Sequence, residues 1–485
     1  MKRIMLAFLA LAMLAGCKEN PVLSIEGGKV QGVTTDIKGV YVYRGIPYAA
    51  PPIGDLRWKE PQPVVPWDGI KLCDRFGHPG YQSVHYPGGY TTEWGYGAEA
   101  PSSEDCLYLN VWTKAPGQTD KKLPVALWIH GGGYREGWSS EPEFDAQEWA
   151  AKDVVLVSVN YRLGVFGFLA HPELSAESPH GVSGNYGILD QIQSLKWIKA
   201  NIAQFGGDPD NVMIFGQSAG AGSVKTLCES PLTAGLFNKA VIMSGGGLNK
   251  NAALPEPGQP SALENAEQTS KAILDWAGLT DLKKMRAAST ETIYALSTIK
   301  GMVDAASQAQ AQPAAMPRRA PALTGSPVVD GYVSLQTFDQ AALTDKLHHV
   351  SYMMGYTMND MGDMAQSVAD FCENREALGD VAYAYEFARP LPDDGSHPEV
   401  TQRLKGAFHS SDLWFVFKSL KHCWRPWTEG DWDLSEKMIT AWTNFAKTGD
   451  PGIGWEPCTK DNRKFMVFRL DASDAEASGM GDPVK

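Results

Sequence analysis

Short, mostly apolar runs alternate along the chain with longer stretches that repeat apolar residues every three or four positions, a pattern that predicts buried strands separated by helices. The strand candidates are residues 125–129, 154–159, 212–215, 240–243 and 350–354, apolar except at Ser158, Ser351 and Tyr352, as strands covered on both faces tend to be. Residues 185–202 have the spacing of a helix, and residues 221–228 predict another directly after the third run. Residues 27–33 and 40–44 predict small strands that open the domain, followed by an irregular stretch rich in proline over 47–66. Residues 252–322 are mostly helical in composition, except for the Gln/Ala/Pro segment 305–317, which reads as an exposed connector. The fold class expected is α/β, a mostly parallel central sheet flanked by helices.

The N-terminus changes the picture of where the chain works. Lys2 and Arg3 precede an apolar stretch over 4–14 that is too short to cross a membrane as a mature helix, so residues 1–16 read as an export signal. Leu14-Ala15-Gly16-Cys17 resembles the lipobox of bacterial lipoproteins, which implies cleavage before Cys17 and a lipid on that cysteine; an ordinary secretory cleavage site is the alternative. The expected organisation is a signal over 1–16, a tether over 17–24 and one domain over 25–485. The expected location is the envelope of a bacterium, at the outer membrane and facing either the periplasm or the exterior. With 56 acidic against 43 basic residues the net charge is -13, which argues against nucleic acid as a partner and against a polyanionic substrate.

Seven cysteines in an exported chain suit sparse disulfides. With Cys17 set aside, Cys73 and Cys106 are able to close one loop, Cys423 and Cys458 form a weaker pair, and Cys228 with Cys372 is left open. No Cys or His cluster has zinc-like spacing, so a mechanism without metal or cofactor is expected.

The chemistry centres on Gly216-Gln217-Ser218-Ala219-Gly220, which follows the apolar run 212–215 and reads as strand, sharp turn, helix. Such a turn projects the Ser218 hydroxyl from the end of a sheet, and the small residues beside it let the helix pack close. Ser218 is the expected nucleophile. Upstream, the run 125–129 ends at His130-Gly131-Gly132-Gly133-Tyr134, where the N–H groups of Gly132 and Gly133, with that of Ala219, would stabilise an oxyanion. In this fold class acid and histidine follow the serine in that order. His348 and His349 precede the strand 350–354 and sit at its far end. His409, in the small-residue loop before an aromatic helix, is the expected base, and Asp360 at the exit of the same strand is the expected acid.

Around these, Tyr134, Trp138, Tyr186, Gln217 and Trp414, with Phe415, are candidates to line the inner substrate site. Tyr86, Tyr90, Trp94 and Tyr96 form an aromatic, glycine-interspersed loop beside the suggested pair Cys73 and Cys106.

Several segments together resemble the type-B carboxylesterases, the family that includes the cholinesterases. They are Tyr43-Arg44-Gly45-Ile46-Pro47-Tyr48-Ala49, Ser103-Glu104-Asp105-Cys106-Leu107-Tyr108-Leu109-Asn110-Val111, Asn160-Tyr161-Arg162-Leu163-Gly164, Gly184-Asn185-Tyr186-Gly187, the serine elbow and the closing stretch 442–451. The resemblance covers most of the chain and implies an α/β-hydrolase fold, a serine esterase without cofactor, and a disulfide between Cys73 and Cys106. It also carries the nucleophile onto Ser218, the base onto His409 and the oxyanion donors onto Gly132, Gly133 and Ala219; Arg44 and Glu104 become structural.

Two departures stand out. Family members usually carry glutamate followed by glycine where this chain has Asp360 and Met361, with Asp363 and Asp412 as fallback acids. Only 49 positions separate Asp360 from His409, so the helical region before the histidine is reduced. The substrate expected is a small or medium ester, aromatic (feruloyl-like) or short-chain. An amidase with the same residues and a partner-binding protein without catalysis are the alternatives.

Overall fold

The computed structural model describes residues 20–83, 88–95, 101–252, 261–298, 323, 325–470 and 478–481. The export signal, Cys17, Tyr86, Tyr96 and the connector 305–317 lie outside the described residues.

The apolar runs become the centre of one 11-stranded sheet. Its strands are β3 (Val33–Thr34), β4 (Tyr41–Pro47), β6 (Tyr108–Thr113), β7 (Leu123–Ile129), β8 (Val155–Val159), β9 (Gly207–Gln217), β10 (Lys239–Met243), β11 (Ser351–Thr357), β12 (Ala382–Phe387), β13 (Phe465–Phe468) and β14 (Ser478–Gly481). They lie in the order β14-β13-β12-β11-β10-β9-β7-β8-β6-β4-β3. Neighbours from β13 to β8 run parallel, and the pairs at either edge are antiparallel. A separate three-stranded sheet joins β1 (Val22–Ile25), β2 (Gly28–Gln31) and β5 (Ile70–Leu72). The first strand thus begins inside the stretch read as a tether.

Strand alternation divides the core between the two faces of the large sheet. Ile214, Leu127 and Ile242 pack with Ile188, Leu195, Val224, Leu227, Val368 and Phe371 from the helices Tyr186–Asn201, Ala219–Glu229 and Ala365–Ala377. Met213, Phe215, Trp128 and Val241 face Trp414, Met438, Trp442 and Phe445 from the helices Leu413–Val416 and Glu429–Thr448. Burial on both faces is why these strands are mostly apolar.

Between β7 and β9 the chain reverses the direction in which it adds strands, since β8 lies on one side of β7 and β9 on the other. Such a switch point opens a crevice at the carboxyl ends of the strands. Register then brings the carboxyl ends of β7, β9 and β10 level beside β11, with Ile129 opposite Gly216, Gln217 opposite Met243, and Met243 opposite Gly355.

Between Asp360 and His409 the chain forms only the helix Ala365–Ala377, strand β12 and the four-residue helix Pro398–Thr401.

Candidate active site

Ser218 caps the end of β9 with φ 57° and ψ −119°, a conformation unfavourable for a residue with a side chain, and the helix Ala219–Glu229 starts directly after it. Its closeness to the sheet explains the glycines: a side chain at Gly220 would drive a Cβ into the carbonyl oxygen of Ile129. Gly132 and Gly133 leave β7 with φ of 97° and 62°, conformations open to glycine. As the first residue of its helix, Ala219 has an N–H with no carbonyl a turn earlier to accept it.

Asp360 and His409 sit on neighbouring loops tied together by Asn359. The backbone N–H of Asn359 donates to the carbonyl of Ala407 at 2.9 Å, and its Oδ1 accepts from the N–H of Ala407 at 2.9 Å. His409 Nδ1 then donates to Asp360 Oδ1 at 2.6 Å. Oδ1 also accepts from the N–H of Met361 at 2.8 Å, while Oδ2 accepts from the N–H and the hydroxyl of Thr357, each at 3.3 Å. Burial works to raise the ionisation of Asp360, but the bond and charge of His409, with these further donors, hold it below the usual aspartate range. The backbone of His409 is held as well, the Tyr90 hydroxyl donating to its carbonyl at 2.9 Å.

Ser218, His409, Gly132 and Gly133 open on one cavity of about 740 Å³. Tyr90, Trp94, Phe144, Leu413 and Met361 supply apolar wall, and Arg135 and Glu136 stand at its exposed edge. Gln217 lines this cavity as expected. The other five residues expected there do not; Phe415 is fully buried against Phe387, with ring centroids 5.0 Å apart. Tyr134 turns under the elbow helix, where a Cβ at Gly222 would run into its hydroxyl, and packs edge-on to Phe168. Trp138 is buried in the loop, its N–H donating to Glu141 Oε1 at 2.7 Å. Tyr186 lines a separate cavity of about 260 Å³ with Trp58, Lys59 and Glu177. Trp414 is fully buried behind Trp94, with ring centroids 5.3 Å apart, and donates to Glu93. The sequence marks these rings as aromatic and near the motifs, but the direction of each side chain depends on helix and loop orientation.

The fallback acids are occupied elsewhere: Asp363 Oδ1 accepts from the N–H of Ala365, and Asp412 Oδ2 accepts from the Tyr385 hydroxyl at 3.0 Å. His348 lies at the opposite end of the strand, against the Ser230 carbonyl. Asn359 and Thr357, which position the acid, carry no sequence signal beyond proximity, and Tyr90, marked in the sequence for its ring, acts here through its hydroxyl.

The disulfide implied between Cys73 and Cys106 is absent, and both are buried free thiols. Cys73 Sγ turns back toward the Lys71 carbonyl at 3.8 Å, while Cys106 lies against the Arg162–Asp190 ion pair. The alternative pairs are not formed either: Cys228, Cys372, Cys423 and Cys458 are all free thiols. Glu104 does pair with Arg57 in the interior, at 2.5 Å, and Arg44 stacks over Phe76, 5.0 Å from the ring centroid.

This arrangement of strand ends recurs in known proteins. A family model described as the carboxylesterase family matches residues 19–379 and 364–480. The chain is 34% identical over 452 residues to fumonisin B1 esterase of Sphingopyxis macrogoltabida, covering 91% of this chain and 74% of the relative. It is 32% identical over 517 residues to para-nitrobenzyl esterase of Bacillus subtilis (strain 168), covering 96% and 97%. Among solved structures, a carboxylesterase of Geobacillus stearothermophilus superposes with a TM-score of 0.71 at 28% identity, covering 95% and 97%. With an elbow serine at the switch point of an α/β-hydrolase sheet and family similarity along nearly its whole length, the chain belongs to the carboxylesterase family and is a serine ester hydrolase of type B.

Proposed function

We propose that the chain hydrolyses small to medium carboxylic esters, aromatic or short-chain, by acyl transfer through Ser218. The observation that carries this reading is the 2.6 Å bond from His409 Nδ1 to Asp360, made where Ser218 stands on its elbow in the same cavity. His409 Nε2 takes the proton of Ser218 as Oγ attacks the ester carbonyl. The N–H groups of Gly132, Gly133 and Ala219 stabilise the oxyanion. His409 returns the proton to the departing alcohol, and water repeats the sequence on the acyl-enzyme. Asp360 orients the ring and stabilises its charge. The shorter aspartate serves because Asn359 draws the histidine loop against the acid loop.

The aromatic wall of Tyr90, Trp94 and Phe144 suits a flat or medium-sized acyl or alcohol group, consistent with relatives named for fumonisin B1 and para-nitrobenzyl esters. The lipobox reading places this activity on the cell envelope through a lipid at Cys17.

The test is turnover of p-nitrophenyl, acetyl, feruloyl and anilide substrates by protein lacking residues 1–17, beside Ser218→Ala, His409→Ala and Asp360→Asn. Ester turnover is expected to vanish in the first two and to fall by on the order of 10⁴ in kcat in the third. An Asp360→Asn enzyme with parent kcat would remove Asp360 from the mechanism, and anilide cleavage exceeding ester cleavage would overturn the ester reading.

A further inference from the structure

His409 spends both ring nitrogens inside the protein. Nδ1 faces Asp360, and Nε2 faces the side-chain Nε2 of Gln217 at 3.1 Å. An ionised carboxylate only accepts, so Nδ1 carries the ring proton and Nε2 of the neutral ring is an acceptor. The Gln217 amide is therefore its donor. Nε2 is also the atom that has to receive the proton of Ser218, so Gln217 and Ser218 share one lone pair.

Gln217 is placed for this by the fold. It is the last residue of β9, is 3% exposed, and lines the cavity with Ser218 and His409. The glycine loop holds it from the other side, since a Cβ at Gly131 would stand 2.8 Å from the Gln217 carbonyl and 3.1 Å from its Oε1. Arg135, Glu136, Glu141 and Glu143 line the same cavity. Asp360 occupies Nδ1, the Tyr90 hydroxyl takes the His409 carbonyl, and Asp412 lies buried three residues on against Tyr385. Behind Trp414, Glu93 is neutralised by Arg425 at 2.7 Å. On the nucleophile's side the ring meets an uncharged amide.

We propose that Gln217 is a positioning residue for the base: its amide anchors the neutral imidazole beside Ser218 and opposes protonation of the ring before the serine proton arrives. The inference rests on the Ser218–His409–Asp360 reading above. A protonated Nε2–H would meet the amide N–H donor to donor, whereas a carboxylate in the same place would accept from it and favour the charged ring. Moving Nε2 from amide to hydroxyl exchanges one neutral hydrogen bond for another, while Nδ1 stays on Asp360.

The test is the pH dependence of kcat/KM for p-nitrophenyl acetate in Gln217→Glu and Gln217→Asn, beside His409→Ala. The base works deprotonated, so activity falls as pH drops. The Glu variant is expected to move that acidic limb to higher pH by about one unit or more. The Asn variant, one methylene shorter, withdraws the amide without adding charge; it is expected to lose about tenfold in kcat with KM changed less than about threefold. The Asn arm stands by itself if the Glu variant does not fold. An unshifted limb in Gln217→Glu, or parent kcat in Gln217→Asn, overturns the inference while the triad reading survives. Activity in His409→Ala sinks both together.

Discussion

Asp412 shows how far burial moves a single group in this site. It is fully buried, with one oxygen on the Tyr385 hydroxyl and the other without a partner, and burial, reinforced by the charge of Asp360, pushes its carboxyl up to about 7. An unfolded aspartate ionises at about 3.9. Between those values the folded chain keeps a proton that the unfolded chain releases, so stability falls as pH rises from about 4 to about 7 and then levels off. Asp412→Asn keeps an acceptor for Tyr385 and removes the titration. Its urea-unfolding free energy should lose on the order of a few kcal/mol less than the parent's between about pH 5 and about pH 8. Equal losses in the two proteins would contradict this. Asp360 has the opposite sign: its depressed ionisation lends stability above the unfolded aspartate range, lost as pH falls through the folded value.

Among elements, the contact between β7 and the elbow helix sets the height of the nucleophile. The helix starts against the Ile129 carbonyl, with Gly220 at the closest approach, so Gly220→Ala has to push the helix from the strand. Overpacking of this kind costs about 1–3 kcal/mol, and here the displacement falls one residue from the Ala219 N–H and two from Ser218. Thermal unfolding and kcat measured together are expected to show both losses. A variant with parent kcat would mean that the helix tolerates the shift. The two loops bearing acid and base form a second such unit, because Asn359 pairs with the backbone of Ala407 in both directions.

Across the whole molecule, the aromatic wall of the cavity is tied to a distant part of the chain by one buried pair. Glu93, beside Trp94, meets Arg425 at 2.7 Å with side-chain exposures of 0% and 1%, and Trp414 donates to the same carboxylate. Removing one partner of a buried pair leaves the other charge uncompensated. Glu93→Ala is therefore expected to cost about 3–5 kcal/mol in urea unfolding and to loosen the Tyr90–Trp94 wall. A loss below about 1 kcal/mol would place the pair among those that contribute little. Tyr90 belongs to the same wall and holds the His409 carbonyl, so the variant should also raise KM.

What the sequence determined by itself was everything written in local chemistry. Mostly apolar runs specified strands buried on both faces, Gly-rich turns specified where the backbone leaves them, and the elbow marked Ser218, because strand burial and glycine conformations depend on neighbours in the chain. Gly216-Gln217-Ser218-Ala219-Gly220 sits where its motif said, and Asp360 lies within reach of His409 across 49 positions. Only the tertiary structure decided which side chains meet. Tyr186 and Trp414 turned from the cavity, Cys73 and Cys106 faced different neighbours, and Gln217 reached His409, because these outcomes follow from packing between elements far apart in sequence.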